Sequence, residues 1–308
     1  MNKRSPIKTP IVLALLAVYF IWGSTYLAIR MAIEGFPPFM MAGLRYSIAG
    51  SLLYLFLRSK GEPAPTRAQW RGATLIGGFL LLGGNGGVAF AEQWVPSGLA
   101  ALVIATTPIW MVLFSGIWGR WPGRIEWTGL LLGLAGVALL NLDASLRANP
   151  LGFLALLAAA LSWSFGSAWS RHLPLPSGLM ASAAEMIAGG ALLLLVSALG
   201  GEKAPAALEW RSTGALLYLV VFGSLVGFSS YVYLLTRVRP ALATSYAYVN
   251  PVIAVFLGVM FAGERITLVG LTAMLIILAG VVLVIAGQRS AVKSAANIDL
   301  THDVIQDR

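Results

Sequence analysis

The sequence contains no cysteine and two histidines among 308 residues, and only 11% of its residues are charged. Without cysteine there is no disulfide framework, no thiolate nucleophile and no cysteine metal site. Both histidines, His172 and His302, fall outside the apolar runs. No H-E-x-x-H motif exists, so an intramembrane zinc protease is unsupported and no metal or other cofactor is expected. A G-x-x-x-x-G-K-[ST] phosphate loop is also missing, so ATP hydrolysis by this chain is not expected. Soluble domains carry roughly 25% charged residues, and the low value here excludes an ordinary water-soluble enzyme. No acid, base and nucleophile recur at one depth of the apolar runs, so the chain reads as not an enzyme.

What the sequence has in excess is apolar length. Hydrophobic residues make up 58% of it, and the mean hydropathy is +0.82. A spanning helix needs about 20 apolar residues, and runs bounded by charge or Pro/Gly predict ten of them: 11–33, 39–57, 72–91, 97–118, 125–142, 151–170, 179–199, 213–235, 241–261 and 266–287. The runs are continuous and do not alternate with period two, which marks helices and not strands of a barrel. The fold class is therefore an all-α polytopic membrane protein. The first run follows Lys3, Arg4 and Lys8 but is too long for a secretory signal, and no small-x-small cleavage site follows Arg30.

The formal charge is +9. Nucleic acid is not the expected partner, because cytoplasmic loops of membrane proteins carry an excess of Lys and Arg. Placing the N-terminus in the cytoplasm puts Arg58, Lys60, Arg67, Arg71, Arg120, Arg124, Arg171, Arg237, Arg239 and both termini's basic residues inside. Only Arg30, Arg147, Lys203, Arg211 and Arg265 fall outside. Both ends are thus expected in the cytoplasm, with the lipid bilayer as the protein's main surroundings and the polar tail disordered.

The two halves resemble each other in register. Met41–Gly50 lines up with Met180–Gly189, Leu99-Ala100 and Pro108 with Leu242-Ala243 and Pro251, and Arg124-Ile125 with Arg265-Ile266. The expected organisation is a cytoplasmic tail (1–10), a first repeat of five spans (11–142), a linker (143–150), a second repeat of five spans (151–287) and a cytoplasmic tail (288–308). An odd number of spans per repeat inverts the second copy, giving ten transmembrane helices as two inverted five-helix repeats. This architecture is typical of secondary transporters that expose a central site alternately to either face; channels are also built this way.

Several residues are out of place in lipid. Tryptophan prefers the interface, yet Trp22 lies about 11 residues, ~16 Å of helical rise, into its span, and Trp163 lies at similar depth. Trp110 is also deep. Ser24, Thr25, Asn85, Ser162, Ser164, Tyr246 and Asn250 are polar groups within spans that need partners or water. A mid-helix proline frees the carbonyl four residues earlier, so Pro108 and Pro251 are candidate helix breaks. Arg45 is expected to snorkel toward the outer interface. Glu185 is expected to face the aqueous cavity and to titrate during the cycle. The glycines Gly129, Gly133 and Gly136 mark a close-packing face.

Ile21-Trp-Gly-Ser-Thr-Tyr26, Pro37-Pro-Phe-Met-Met-Ala-Gly-Leu-Arg45 and Ala241-Leu-Ala-Thr-Ser-Tyr-Ala-Tyr-Val-Asn-Pro251, ending in Gly263-Glu-Arg-Ile-Thr267, carry a family pattern. The sequence resembles the drug/metabolite transporter superfamily, specifically its EamA-type members, over about residues 11–287. That resemblance implies a bacterial inner-membrane exporter of amino acids or related metabolites, with Trp22, Ser24, Thr25, Asn85, Trp163, Tyr246, Asn250 and Pro251 at a central cavity. In the first repeat Gly119-Arg-Trp-Pro-Gly123 stands where the family often has Gly-Glu, so Glu264 has no acidic counterpart there. Aromatic rings with few charges favour a neutral or zwitterionic small-molecule substrate over polyanions. The alternatives are a passive facilitator or channel, and a carrier of nucleobases, sugar derivatives or drugs.

Overall fold

The computed structural model describes residues 9–118, 121, 123–142, 149–238, 243, 246–262, 267–280, 282–283 and 286. Most of the two tails and the 143–150 linker lie outside the described residues, as do Thr244, Ser245 and Glu264. Among the described residues every regular element is helical. In chain order these are α1 (Thr9–Ile33), α2 (Pro38–Ser59), α3 (Arg67–Ala91), α4 (Ser97–Ile104), α5 (Thr107–Ile117), α6 (Arg124–Leu142), α7 (Pro150–His172), α8 (Leu179–Leu199), α9 (Trp210–Arg237), α10 (Tyr246–Ala262) and α11 (Leu268–Gly280). Six of them, α1, α2, α3, α7, α8 and α9, are long and apolar enough to cross a membrane. Shorter apolar helices are found at Ser97–Met111 and in α11, and the expected 97–118 span is two helices with a break after Ile104.

Local chemistry sets these ends. Proline follows the cap at the start of α2 and of α7, where its missing N–H costs no intrahelical bond. Asn149 caps α7 by accepting from the Leu151 amide, and Thr66 with Gln69 forms a reciprocal capping box on α3. That box starts α3 one turn before the apolar run, at Arg67 instead of Gly72.

The packing is centred on α2 and α8, which share the most extensive interface in the molecule. It is a backbone-to-backbone seam: a methyl group placed on Gly190 would sit 2.6 Å from the Ser47 amide nitrogen, and one on Gly50 would sit 2.7 Å from that of Ile187. Around this pair α1 lies against α9 and α10, while α7 lies against α3 and α5. Gly129 and Gly133 of α6 meet Gly280 of α11 just as closely. The outward faces are greasy, with Leu13, Phe20, Leu55, Leu195, Phe256 and Phe261 exposed. Such faces suit hydrocarbon, and the exposed Trp94, Trp121, Trp127 and Trp210 suit the two membrane interfaces.

A polar contact joins the start of α2 to the chain that follows α8. Glu202, after α8, accepts from the amides of Phe39 (3.2 Å) and Met40 (2.8 Å) in the first turn of α2. It satisfies two otherwise unpaired donors and faces the positive end of the helix dipole. Glu202→Ala is expected to cost about 1–3 kcal/mol and to lower the thermal midpoint by several degrees. Glu202→Gln keeps an acceptor and should lose less; a thermal melt of the purified protein checks both.

Candidate substrate cavity

A helix with 3.6 residues per turn presents i, i+3, i+4 and i+7 on one face. On α1 that face is Trp22, Thr25, Tyr26 and Ile29, and all four line a central cavity of about 60 Å³. Asn85 of α3, Ile104 of α4, Trp163 of α7, and Tyr246 and Asn250 of α10 complete much of its wall, together with Arg45 of α2. The expected Trp22, Thr25, Asn85, Trp163, Tyr246 and Asn250 therefore converge on one space.

An aromatic box forms part of the wall. Trp22 meets Trp163 edge-on at 5.6 Å between centroids, and Tyr246 edge-on at 4.9 Å. Tyr231 of α9 joins it, 5.1 Å from Trp22 and 5.3 Å from Trp163, with its hydroxyl 3.0 Å from Ser167 Oγ. Trp22 Nε1 donates to the Gly223 carbonyl at 3.1 Å, whereas the buried Trp163 N–H has no well-aligned acceptor. The Asn250 amide, oriented with its NH2 toward the two carbonyls, donates to Tyr246 (3.1 Å) and Tyr19 (3.0 Å).

Two of the acceptor carbonyls around the box come from unusual helix. Gly78–Gly86 within α3 and Leu219–Phe228 within α9 are π-helical, a rare geometry that is frequent at functional sites. Carbonyls in both stretches accept side chains from across the core: Phe79 from Ser162 Oγ at 2.7 Å, and Gly223 from Trp22.

Five expected residues stand elsewhere. Ser24 is two residues, or about 200° of helix rotation, from Trp22. It therefore points away from the cavity, bonding Tyr218 (2.6 Å) and the Ile21 carbonyl (2.7 Å) beside a separate groove. Trp110 donates to Thr106 Oγ1 at 3.1 Å and does not line the cavity. Glu185 is buried where α8 presses on Gly77 of α3, and it is not part of the cavity wall. Pro108 accompanies a real break, but the Ile104 carbonyl it frees is taken by Thr107 Oγ1 at 2.6 Å. Pro251 accompanies none, because α10 runs through it from Tyr246 to Ala262. The difference is positional: Pro108 is the second residue of α5, where no intrahelical N–H is needed, while Pro251 lies a turn further in.

Sequence reasoning missed Arg45. Only 2% exposed, it does not reach the interface. Its Nε donates to Ser224 Oγ at 2.8 Å, its guanidinium carbon lies 4.6 Å over the Tyr46 ring, and it lines the cavity. The available signal was Ser224, a hydroxyl deep in the eighth apolar run. Among the described residues no cluster of His, Asp and Glu is placed to hold a metal ion. The cavity offers aromatic faces, amides and one cation, a lining suited to binding an amphipathic solute.

Comparison with known proteins identifies the family. The model of the EamA-like transporter family matches residues 9–142 and again 150–286. The uncharacterized inner membrane transporter YedA of Escherichia coli K12 is 45% identical over 280 residues, covering 91% of this chain and 92% of YedA. A probable amino-acid metabolite efflux pump of Salmonella typhimurium LT2 is 26% identical over 299 residues, with 90% and 95% covered. A solved crystal structure, 22% identical, shares the fold with a TM-score of 0.65 over 92% of this chain and 99% of its own. The chain is a membrane transporter that belongs to the EamA-like family of the drug/metabolite transporter superfamily.

Proposed function

We propose that this protein is a secondary transporter of the bacterial inner membrane that exports amino acids or similar small amphipathic metabolites by alternating access. The observation that carries the reading is the cavity itself. It is walled by helices from both halves of the chain, and it offers aromatic faces, amides and one cation to a solute. A site shared between two halves can be exposed to either face as the halves move, which is how a carrier differs from an open pore.

The neighbour pattern supports two inverted repeats, 11–142 and 151–287, of five spans each, with α4 and α5 counted as one broken span. Exchanging the halves turns α1 against α9 into α7 against α3, and α1 against α10 into α7 against α5; both members of each pair occur. The seam of α2 and α8 maps onto itself, and the two π-helical stretches fall in equivalent spans. The family model's two matches divide the chain at the same place. With both termini in the cytoplasm, the ends of α1 and α8 and the Glu202 contact lie at the outer face, in accord with the loop charges. The efflux-pump relative lends the amino-acid assignment its support.

The test is counterflow in proteoliposomes preloaded with single amino acids. Saturable uptake of labelled solute, accelerated by the same solute inside, is the expected result. Flux that grows linearly with concentration and ignores the preload points to a channel. No exchange of any amino acid by folded protein moves the search to nucleobases, sugars and drugs.

A further inference from the structure

Arg45 is a buried cation whose hydrogen-bonding capacity is mostly unspent. A guanidinium carries five N–H donors, and one of them, on Nε, is used by Ser224. No other acceptor and no carboxylate partner meets it among the described residues. Burying a charge without such partners is costly, so a buried guanidinium facing a cavity is poised for an anion that arrives from outside the protein.

The neighbouring backbone is shaped around it. Gly223 lies in the π-helical stretch of α9, and a methyl group placed there would sit 2.7 Å from Arg45 Nη2. The same residue's carbonyl holds the Trp22 indole. Gly223 and Ser224 thus fix a cation and one face of the aromatic box side by side. The in-register position of the second half is Ala184, so this charge has no duplicate from that half.

We propose that Arg45 is the receptor for the solute carboxylate and restricts transport to α-amino acids bound as zwitterions. The planar guanidinium takes the carboxylate through paired N–H···O bonds. The ammonium lies against the faces of Trp22, Trp163 and Tyr246, where cation–π attraction is available. A dianion would find no second cation from the matching position. This inference rests on the transporter reading and narrows it, because the carboxylate becomes a requirement of binding.

The test compares L-phenylalanine and L-leucine with their carboxamides, by calorimetric binding and by counterflow, in wild type, Arg45→Gln, Arg45→Lys and Gly223→Ala. In wild type the amino acids are expected to bind about 10- to 100-fold more tightly than the amides, the range of a charge-assisted hydrogen bond. Arg45→Gln should erase that preference. Gly223→Ala should weaken it without removing any charge, by displacing the guanidinium, and Arg45→Lys should retain part of it. Equal binding of acids and amides by wild type overturns the proposal whatever the variants do. Exchange of uracil without exchange of any amino acid overturns it as well, while leaving the carrier reading intact. If folded wild type exchanges nothing, the carrier reading falls, and the binding preference alone then upholds or overturns the role of Arg45.

Discussion

Trp163→Ala is expected to abolish saturable exchange, whereas Trp163→Phe should keep the fold and lose about five- to tenfold in affinity. The alanine variant removes a ring packed against Trp22, Tyr231 and Phe228. Deleting so large a buried side chain costs about 3–5 kcal/mol and leaves the box without one wall. Phenylalanine keeps one ring of that packing and removes, with the second ring, the indole N–H that has no well-aligned acceptor in the protein. One hydrogen bond to a solute is worth ~1 kcal/mol, hence the modest factor. Trp22→Phe should behave in the opposite sense. Its N–H is spent on the Gly223 carbonyl, so the variant is expected to lose thermal stability first. Counterflow and thermal melts of the three proteins separate these outcomes. Wild-type affinity in Trp163→Phe would show that its N–H does not meet the solute.

Helix positions were legible in the sequence because apolar length is the signal that lipid imposes. The run 179–199 coincides with α8. Trp22 and Trp163 were legible for a related reason: a ring that normally sits at an interface stands out at mid-depth. Depth along the axis, however, says nothing of direction around it. That is why Ser24 was grouped with Trp22 although they lie on opposite sides of α1, and why Arg45 was sent to the interface although its side of α2 faces Ser224. Tyr231 and Tyr233, two residues apart, show the same effect, one buried in the box and the other only partly covered. The π-helical stretches were not legible at all. The helices packed on them, α7 on α3 and α1 on α9, are far away in sequence. The break before Pro108 was half legible: the proline announces it, but the threonine hydroxyls that absorb the freed carbonyls become visible only in three dimensions.

Gly190→Val should prevent accumulation of folded protein. A first carbon at that position would already meet the Ser47 amide nitrogen and Oγ at 2.6 Å, and a backbone atom of a packed helix has nowhere to retreat. Interiors this dense transmit the strain, and valine adds two further methyl groups to it. Gly50 makes the reciprocal approach to Ile187, so the seam is closed from both sides and Gly50→Val should fail in the same way. Gly214 supplies the control. It lies in α9 with nothing within 4 Å of a methyl group placed on it, so Gly214→Ala is expected to be neutral or to stabilise by up to ~1 kcal/mol through helix propensity. Yield of monodisperse protein and thermal midpoint read all three. The seam also bears on how the protein moves. For the small cavity to open, helices on both sides of it must part, yet α2 and α8 are the least separable pair in the molecule. They are therefore the expected fulcrum, with α1, α7 and their partners swinging about them. A Gly190→Val protein that is recovered intact and exchanges solute at the wild-type rate would show that α2 and α8 separate in the cycle, and the fulcrum would have to be sought in another helix pair.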